Sequence, residues 1–354
     1  MITIEELLTI AAENGASDVH ITVGVPPKMR VNGALYNMDF PPLYPQDTEP
    51  IIMSIMDRRH KEIFDEKGET DFSISVPQIG RYRVNIFKQR GSMAAALRVV
   101  GMDIPSADSL GVPKAVQDLH DKKRGLVLVT GPTGSGKSTT LASIIDLVNT
   151  NLTSHVITLE DPVEYLHNHK KSMVNQREIG LDTLSYGNAL RAALREDPDV
   201  ILVGEMRDLE TIQIAIRAAE TGHLVFSTLH TIGAASTIDR IIDVFPTHQQ
   251  QQIRIQLSMV LEGVISQQLI PTADGKGRVA AFEVMLANPA IKNMIREGKT
   301  YQIQSMIQTN GKLGMITMDD ALYQLYRMGT ITGEQALLYA QDRQAVDKRL
   351  RGMI

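Results

Sequence analysis

Gly131-Pro-Thr-Gly-Ser-Gly-Lys-Ser138 sets two mobile polar groups, an ammonium and a hydroxyl, at the end of a glycine-rich run. The pattern G-x-x-x-x-G-K-[ST] is complete at every fixed position and is the one that cradles phosphates. Glycines let backbone N–H groups turn toward a β-phosphate where a Cβ would block them. A helix following at once adds the positive end of its dipole. Lys137 can reach β/γ oxygens, and the Ser138 hydroxyl can ligate Mg²⁺. Leu126–Thr130 leads in as an apolar strand, and Leu141, Ile144, Ile145 and Val148 lead out at helical spacing. Gly131, Thr133, Gly134, Ser135, Gly136, Lys137, Ser138 and Thr139 are therefore the expected contacts of a nucleoside triphosphate. The chain has no N-K-x-D segment of the kind that specifies guanine, which favours ATP.

Hydrolysis needs carboxylates as well. Val200-Ile-Leu-Val-Gly-Glu205 is an apolar strand ending in one, with Gly204 where an Asp is usual. Glu205 is expected to act on the metal, directly or through water, or as the base. Ile157-Thr-Leu-Glu-Asp-Pro-Val-Glu164 is a second strand, ended by Pro162, that brings Glu160, Asp161 and Glu164. Acids at the carboxyl edge of a sheet lie where α/β folds place ligands. The plainer alternative is that Glu160 and Asp161 cap a turn.

His223 and His230 bracket the apolar run between them; seven residues apart they would face opposite ways, so a metal pair is not expected. His230, at the carboxyl end, is the expected hydrogen-bonding sensor of a γ-phosphate. Arg81 and Arg83, two apart on a strand, share a face, and Arg98 lies on the next strand. Such guanidinium groups either reach a γ-phosphate or stay solvated. Arg195, Arg207, Arg217, Arg240 and Arg278 are further phosphate or subunit contacts that the sequence does not rank.

The elements that must position these groups fall into two patterns. Up to about residue 100 the chain reads as a small α+β unit. Thr3-Ile-Glu-Glu6 opens a helix with Leu7, Leu8, Ala11 and Ala12 inward, stopped at Gly15. Asn32-Gly33 between Lys28–Val31 and Ala34–Tyr36 is a hairpin signal. One helix is expected from about Asp47 to Glu66, then strands at Glu69–Val76, Arg81–Lys88 and Met93–Val100, a succession that favours an antiparallel sheet. Residues 101–113, rich in Gly, Pro and Ser, read as a flexible linker. Beyond them Leu126–Thr130, Val156–Glu160, Val200–Val203 and Leu224–Thr228 are short apolar runs alternating with helices, the signature of a parallel sheet. From about Ile291 the pattern is helical, with further starts at Thr317 and Thr332.

Composition bounds the rest. The chain has 354 residues, formal net charge -5, 43% hydrophobic and 22% charged residues, so gross disorder is excluded. With 5% aromatics and no Trp the core must be aliphatic, with 17 Met filling gaps. No cysteine means no disulfide and no thiolate metal centre, and suits a reducing cytoplasm. The negative balance offers no chain-wide field for nucleic acid. The N-terminal acids do not read as a secretion signal, and no apolar run reaches the ~18 residues of a spanning helix.

Taken in order, GPTGSGKSTT (131–140), ITLEDPVEY (157–165), ALREDPDVILVGEMRD (193–208) and TGHLVFSTLHT (221–231) resemble the Walker A, Asp box, Walker B and His box of the type II/IV secretion ATPase superfamily. Ala290-Ile-Lys-Asn-Met-Ile-Arg-Glu297 is similar to the A-I-R-N-L-I-R-E signature of its type IV pilus retraction motors, departing at Lys292 and Met294. The related extension and secretion motors usually carry a larger N-terminal region and a four-cysteine metal site, which this chain lacks. The resemblance implies an α/β protein: an N-terminal PAS-like α+β domain (1–100) with an antiparallel sheet, the linker, a RecA-like P-loop ATPase core (114–290) and a helical C-terminal segment (291–354). It implies a homohexameric, Mg²⁺-dependent ATPase that binds ATP between its domains and retracts pili by ATP-driven domain rotation. Catalysis would involve Glu164 or Glu160, Glu205, His230, Arg81, Arg83 and Arg98, with Ser138 and Glu205 on the metal. Partners would be the inner-membrane platform protein of the pilus machine and, indirectly, pilin. The location would be cytoplasmic, peripheral to the inner membrane, without nucleic acid. The rivals are an extension or secretion motor, a nucleotide-sensing regulatory module and, more remotely, a DNA-translocating ATPase.

Overall fold

The computed structural model describes residues 2–101 and 103–352; Met102 of the expected linker and residues 353 and 354 of the C-terminal segment lie outside the described residues. Two compact units emerge. One takes Met1–Asp103 with Pro162–Leu166, the other Ile104–Asp161 with His167–Ile354.

In the first unit α1 (Ile4–Glu13) starts where the Thr3 hydroxyl accepts the Glu6 N–H at 3.2 Å, and Gly15 follows it with φ +63°. It buries Ile4, Leu7, Leu8 and Ala11, whereas Ala12, expected inward, is exposed because it falls off that four-residue stripe. β1 (Asp18–Ile21) precedes a hairpin of β2 (Lys28–Val31) and β3 (Ala34–Asn37). Its corner residues Asn32 and Gly33 have φ +49° and +85°, the left-handed pair that a two-residue turn requires. The single helix expected over 47–66 is two: α2 (Pro45–Met53) and α3 (Arg58–Lys67). The break is chemical. Asp57 accepts the His60 N–H at 2.8 Å and so opens a new helix where a continuous one would leave that carboxylate idle. β4 (Glu69–Val76), β5 (Gly80–Gln89) and β6 (Ser92–Val100) complete an antiparallel sheet in the order β3-β2-β1-β6-β5-β4. Tyr82, Val84, Ile86 and Leu97 of this sheet pack with Leu7, Leu8 and Ile52 in one core.

The second unit begins with residues of the expected linker: Ala107 and Val112 are buried in its core beside α4 (Lys114–Gln117). Its sheet is built from β7 (Gly125–Thr130), β8 (His155–Glu160), β9 (Met173–Glu178), β10 (Val200–Val203), β11 (Leu224–Leu229), β12 (Leu261–Pro271) and β13 (Arg278–Leu286). The order is β13-β12-β7-β11-β10-β8-β9, parallel except for the β12–β13 pair. Alternation divides the core as strand geometry demands. Val127 and Val129 face α5 (Lys137–Asn151) through Leu141, Ile144 and Val148. Leu126 and Leu128 face the cluster made by α6 (Tyr186–Ala193), α7 (Leu209–Glu220), α8 (Ala234–Asp243) and α9 (Thr247–Val260). That cluster also takes Ile291 and Ile295 of α10 (Pro289–Glu297) and Ile303 and Ile307 of α11 (Ile303–Thr309). A smaller cluster holds α12 (Met318–Arg327), α13 (Gly333–Tyr339) and α14 (Arg343–Leu350) against Ile270 and Ala281. Thr317 and Thr332 cap α12 and α13 as their sequence suggests. No helix among the described residues is long and apolar enough to cross a membrane.

Candidate active site

β7 lies between β11 and β12, with β10 and β8 beyond β11, so the segments leaving β7, β8, β10 and β11 emerge along one edge of the sheet. That edge receives Gly131–Ser138, Glu160, Glu205 and His230 from four separate stretches of sequence.

The loop after β7 closes on itself. Lys137 Nζ donates to the carbonyls of Gly131 (2.9 Å) and Pro132 (3.0 Å), so its ammonium lies over the loop. Ser135 Oγ is buried without a hydrogen-bond partner. Gly136, at φ +88°, hands the chain to α5, whose first N–H groups have no intrahelical acceptor. A Cβ on Gly131 would fall 2.2 Å from the Gln267 carbonyl oxygen, and one on Gly136 2.9 Å from Gln267 Nε2. These are features of an anion cradle: a helix N-terminus, a cation held over the loop and an idle hydroxyl. Gln267 was not foreseen. It is buried on β12, and its Oε1 accepts from Thr140 Oγ1 at 2.8 Å, fastening the loop's far side. The register that pairs Ser266 with Thr130 puts it there, and no local motif announces it. Beside Gly136 and Thr139 opens a cavity of about 350 Å³ walled by Leu110, Leu269, Val279 and Ala280, with Asp108 and Arg278 in its lining.

Glu205 stands two residues beyond β10. His230 Nε2 lies 3.2 Å from its Oε1 and Arg207 Nη2 2.7 Å from its Oε2. Burial alone would raise the Glu205 carboxyl, but the Arg207 hydrogen bond and the His230 and Arg207 charges outweigh it and hold the group below the usual carboxylate value. His230 Nδ1 is 3.4 Å from Thr133 Oγ1. One imidazole thus touches both the phosphate loop and the acid of β10. His223, at the other end of β11, lies 2.9 Å from the Ala218 carbonyl at the end of α7.

Gly204 has a reason that the sequence does not show. Its N–H donates to the Leu159 carbonyl (2.7 Å) and its own carbonyl accepts from Thr228 Oγ1 (2.6 Å), so it is fixed between β8 and β11. A Cβ there would lie 2.9 Å from Tyr186 Oη and 3.0 Å from the Leu159 oxygen. The phenol of Tyr186, on the first turn of α6, fills the space that the usual Asp would need. Burial raises its pKa, and Asp161, Glu205 and Glu160 raise it further, so the phenol stays protonated beside these carboxylates.

Glu160 closes β8, and its Oε1 accepts from Thr158 Oγ1 (2.6 Å) and Gln176 Nε2 (3.1 Å). Asp161 is exposed. Glu164 is exposed in the first unit, beside Tyr165, which bridges Gly101. Also in the first unit, Arg83 pairs directly across the sheet with Arg98. Arg98 Nε bonds Asp18 Oδ1 at 2.9 Å, Arg83 Nε lies 4.0 Å from Asp71, and Arg81 Nη1 bonds Ser75 Oγ at 3.2 Å. The structure therefore brings together the loop, Glu205, His230 and Tyr186 in one unit, and the three arginines on the sheet of the other. Among the described residues no group of three or more His, Asp or Glu could hold a metal by itself. A hydroxyl (Ser138) and a carboxylate (Glu205) beside a phosphate cradle suit Mg²⁺, which takes most of its ligands from phosphate and water.

The sequence matches the type II/IV secretion system protein family over residues 1–322. It is 51% identical over 333 residues to the type IV pilus retraction ATPase PilT of Pseudomonas aeruginosa, covering 94% of this chain and 96% of that one. It is 48% identical over 320 residues to a twitching motility protein of Neisseria gonorrhoeae, covering 90% and 86%. The crystal structure of the pilus retraction motor PilT with bound ADP is similar at a TM-score of 0.92 and 52% identity, over 98% of this chain and 100% of that one.

Proposed function

We propose that this chain, which belongs to the type II/IV secretion system protein family, is an ATP-hydrolysing motor that powers type IV pilus retraction. The observation that carries the chemistry is the single imidazole of His230 spanning Thr133 of the phosphate loop and Glu205. Binding needs only the loop; a group that reads the loop and holds the acid at the same time is what turnover needs.

In this reading the loop amides and Lys137 hold the β- and γ-phosphates, and the cavity beside Gly136 takes the base. Lys137 would exchange its two carbonyl partners for phosphate oxygens. Ser138 and Glu205 would hold Mg²⁺, which would neutralise part of the charge on the phosphates. His230 reports the γ-phosphate to Glu205, while Glu160 or Glu164 orients the lytic water. The roles implied for Arg81, Arg83 and Arg98 belong to the same proposal. So do assembly as a homohexamer, a cytoplasmic location at the inner-membrane pilus machine, and action on its platform protein and, indirectly, on pilin. Close similarity to a retraction ATPase over nearly the whole chain supports the choice of retraction over extension.

Two measurements test this. The purified protein releases phosphate from Mg·ATP, and Lys137→Ala lowers kcat by about 10²–10³-fold, the loss expected when one preorganised donor to developing charge is removed. A strain lacking the gene becomes over-piliated and non-motile. Nucleotide binding without turnover would make the chain a regulatory module, and unpiliated cells would make it an extension motor.

A further inference from the structure

Glu283 on β13 is a charged side chain with no solvent exposure, outside the site just described. Its Oε1 accepts the Ala234 N–H at 2.7 Å; its Oε2 accepts the Met318 N–H at 3.3 Å and the Gln341 amide at 3.2 Å. All three partners donate. A carboxylate has lone pairs for each of them, whereas a protonated acid would need the Gln341 amide to turn its oxygen inward. Burial raises the carboxyl above the usual carboxylate value; the two backbone amides and Gln341 oppose that shift without cancelling it, and the charge of Asp319 adds to it.

Its position is specific. Ala234 opens α8, whose N-cap is Gly233, a residue with no side chain to offer, so a carboxylate from another strand does the capping. Met318 opens α12 in the C-terminal helical segment. Gln341 follows α13 and is itself tied to α12, because Asp319 accepts the N–H groups of Gln341 (2.7 Å) and Asp342 (2.9 Å). Gly233, at φ +88°, would place a Cβ 3.4 Å from Gln341 Nε2 and 3.7 Å from Glu283 Oε1. The other side of Glu283 leads to the nucleotide loop. The chain 230–234 joins His230 to the capped turn and is pinned by Gly233 N–H to Ser266 Oγ (3.0 Å) and Thr231 Oγ1 to Thr237 Oγ1 (2.7 Å).

We propose that Glu283 is a positioning residue that ties the segment carrying His230 to the C-terminal helices, so that occupancy of the phosphate loop is felt at residues 318–342. Glu283 touches no reacting atom. It acts by fixing the first turn of α8, and a displacement of His230 toward or away from a γ-phosphate must either drag α12 and Gln341 with it or break a buried charge-assisted bond. The inference rests on the loop binding ATP; it does not need turnover.

The test is hydrogen exchange with and without a non-hydrolysable ATP analogue, read beside steady-state kinetics, on the full chain. In the wild type, saturating analogue protects 131–138 and also changes exchange at 318–342. In Glu283→Gln, whose NH₂ turns a donor against either the Ala234 N–H or the Met318 N–H and Gln341 amide, the second change disappears while analogue affinity stays within about twofold, and kcat falls about tenfold with KM for ATP unchanged. Gln341→Ala, an exposed residue whose loss leaves the α8 cap and the Met318 bond in place, is the milder arm and reduces the response at 318–342 without abolishing it. A wild-type response confined to 131–138, or a response at 318–342 that is undiminished in Gln341→Ala, overturns the proposal. Loss of stability in Glu283→Gln leaves Gln341→Ala to decide. A wild type that binds the analogue and responds at 318–342 but never releases phosphate refutes the motor and leaves the coupling standing.

Discussion

Replacing Gly204 by Ala is the sharpest probe of the acid strand. Gly204 has no left-handed backbone, so a methyl group costs nothing in φ; the whole penalty is space. The added carbon falls 2.9 Å from Tyr186 Oη and 3.0 Å from the Leu159 oxygen, with Glu160 Cα at 3.4 Å. The Leu159 carbonyl cannot withdraw, since it accepts the Gly204 N–H. Overpacking of this kind costs about 1–3 kcal/mol, or roughly 2–12 °C in Tm at ~2–4 °C per kcal/mol for a domain of this size. Tyr186→Phe alone removes the phenol oxygen and keeps the ring, and is expected to cost less stability than Gly204→Ala. If the phenol oxygen is the main obstacle, the double substitution is less damaging than the sum of the singles by about 0.5–1.5 kcal/mol, because phenylalanine vacates the nearer contact and leaves the Leu159 oxygen. Thermal melts of the four proteins give the cycle. Phosphate release from each then reports whether Glu205, the next residue, has moved. Gly204→Asp, which restores the usual acid, is expected to be worse than Gly204→Ala in both assays. Additivity of the two singles to within about 0.5 kcal/mol, or an Ala variant as stable as the wild type, would show that Tyr186 does not hold the space.

His230→Ala removes a hydrogen bond to an ionised Glu205; bonds to charged groups contribute about 1.5–3 kcal/mol, so kcat should drop roughly ten- to a hundredfold with KM for ATP almost unchanged, and a rise in KM alone would make His230 a binding residue only. Burial lowers the His167 imidazole from 6.5 to about 4. Between those values the unfolded chain takes up a proton that the folded chain refuses, so stability is full above about pH 6.5 and is lost as the pH falls toward 4, by up to about 3 kcal/mol. Urea melts from pH 7.5 to 4.5 should show that slope, and His167→Gln should flatten it. An unchanged slope in the variant would place the titration elsewhere.

What the sequence made legible was chemistry carried by neighbours in the chain. Gly131–Ser138 needs only a strand before it and a helix after it, and both are periodic; the Asn32-Gly33 hairpin and the caps at Thr317 and Thr332 are equally local. Helix α9 passes into β12 at Val260 and Leu261 with no Gly or Pro between them, so no punctuation marked β12, and with it β13 and Gln267 went unseen. β9 escaped for another reason: at the sheet edge it buries only Val174 and Glu178, which leaves no apolar run to read. Gly204 combines both kinds of blindness. Read along the chain it weakens an acid strand, because the residue that explains it, Tyr186, opens a helix 18 positions earlier and meets it only once α6 packs beside β8 and β10. The acid strand is thus not a degraded version of the usual one but an alternative in which a neutral hydroxyl takes the place of one carboxylate. Fewer negative charges then crowd Glu205, and Arg207 and His230 hold its carboxyl below the usual carboxylate value.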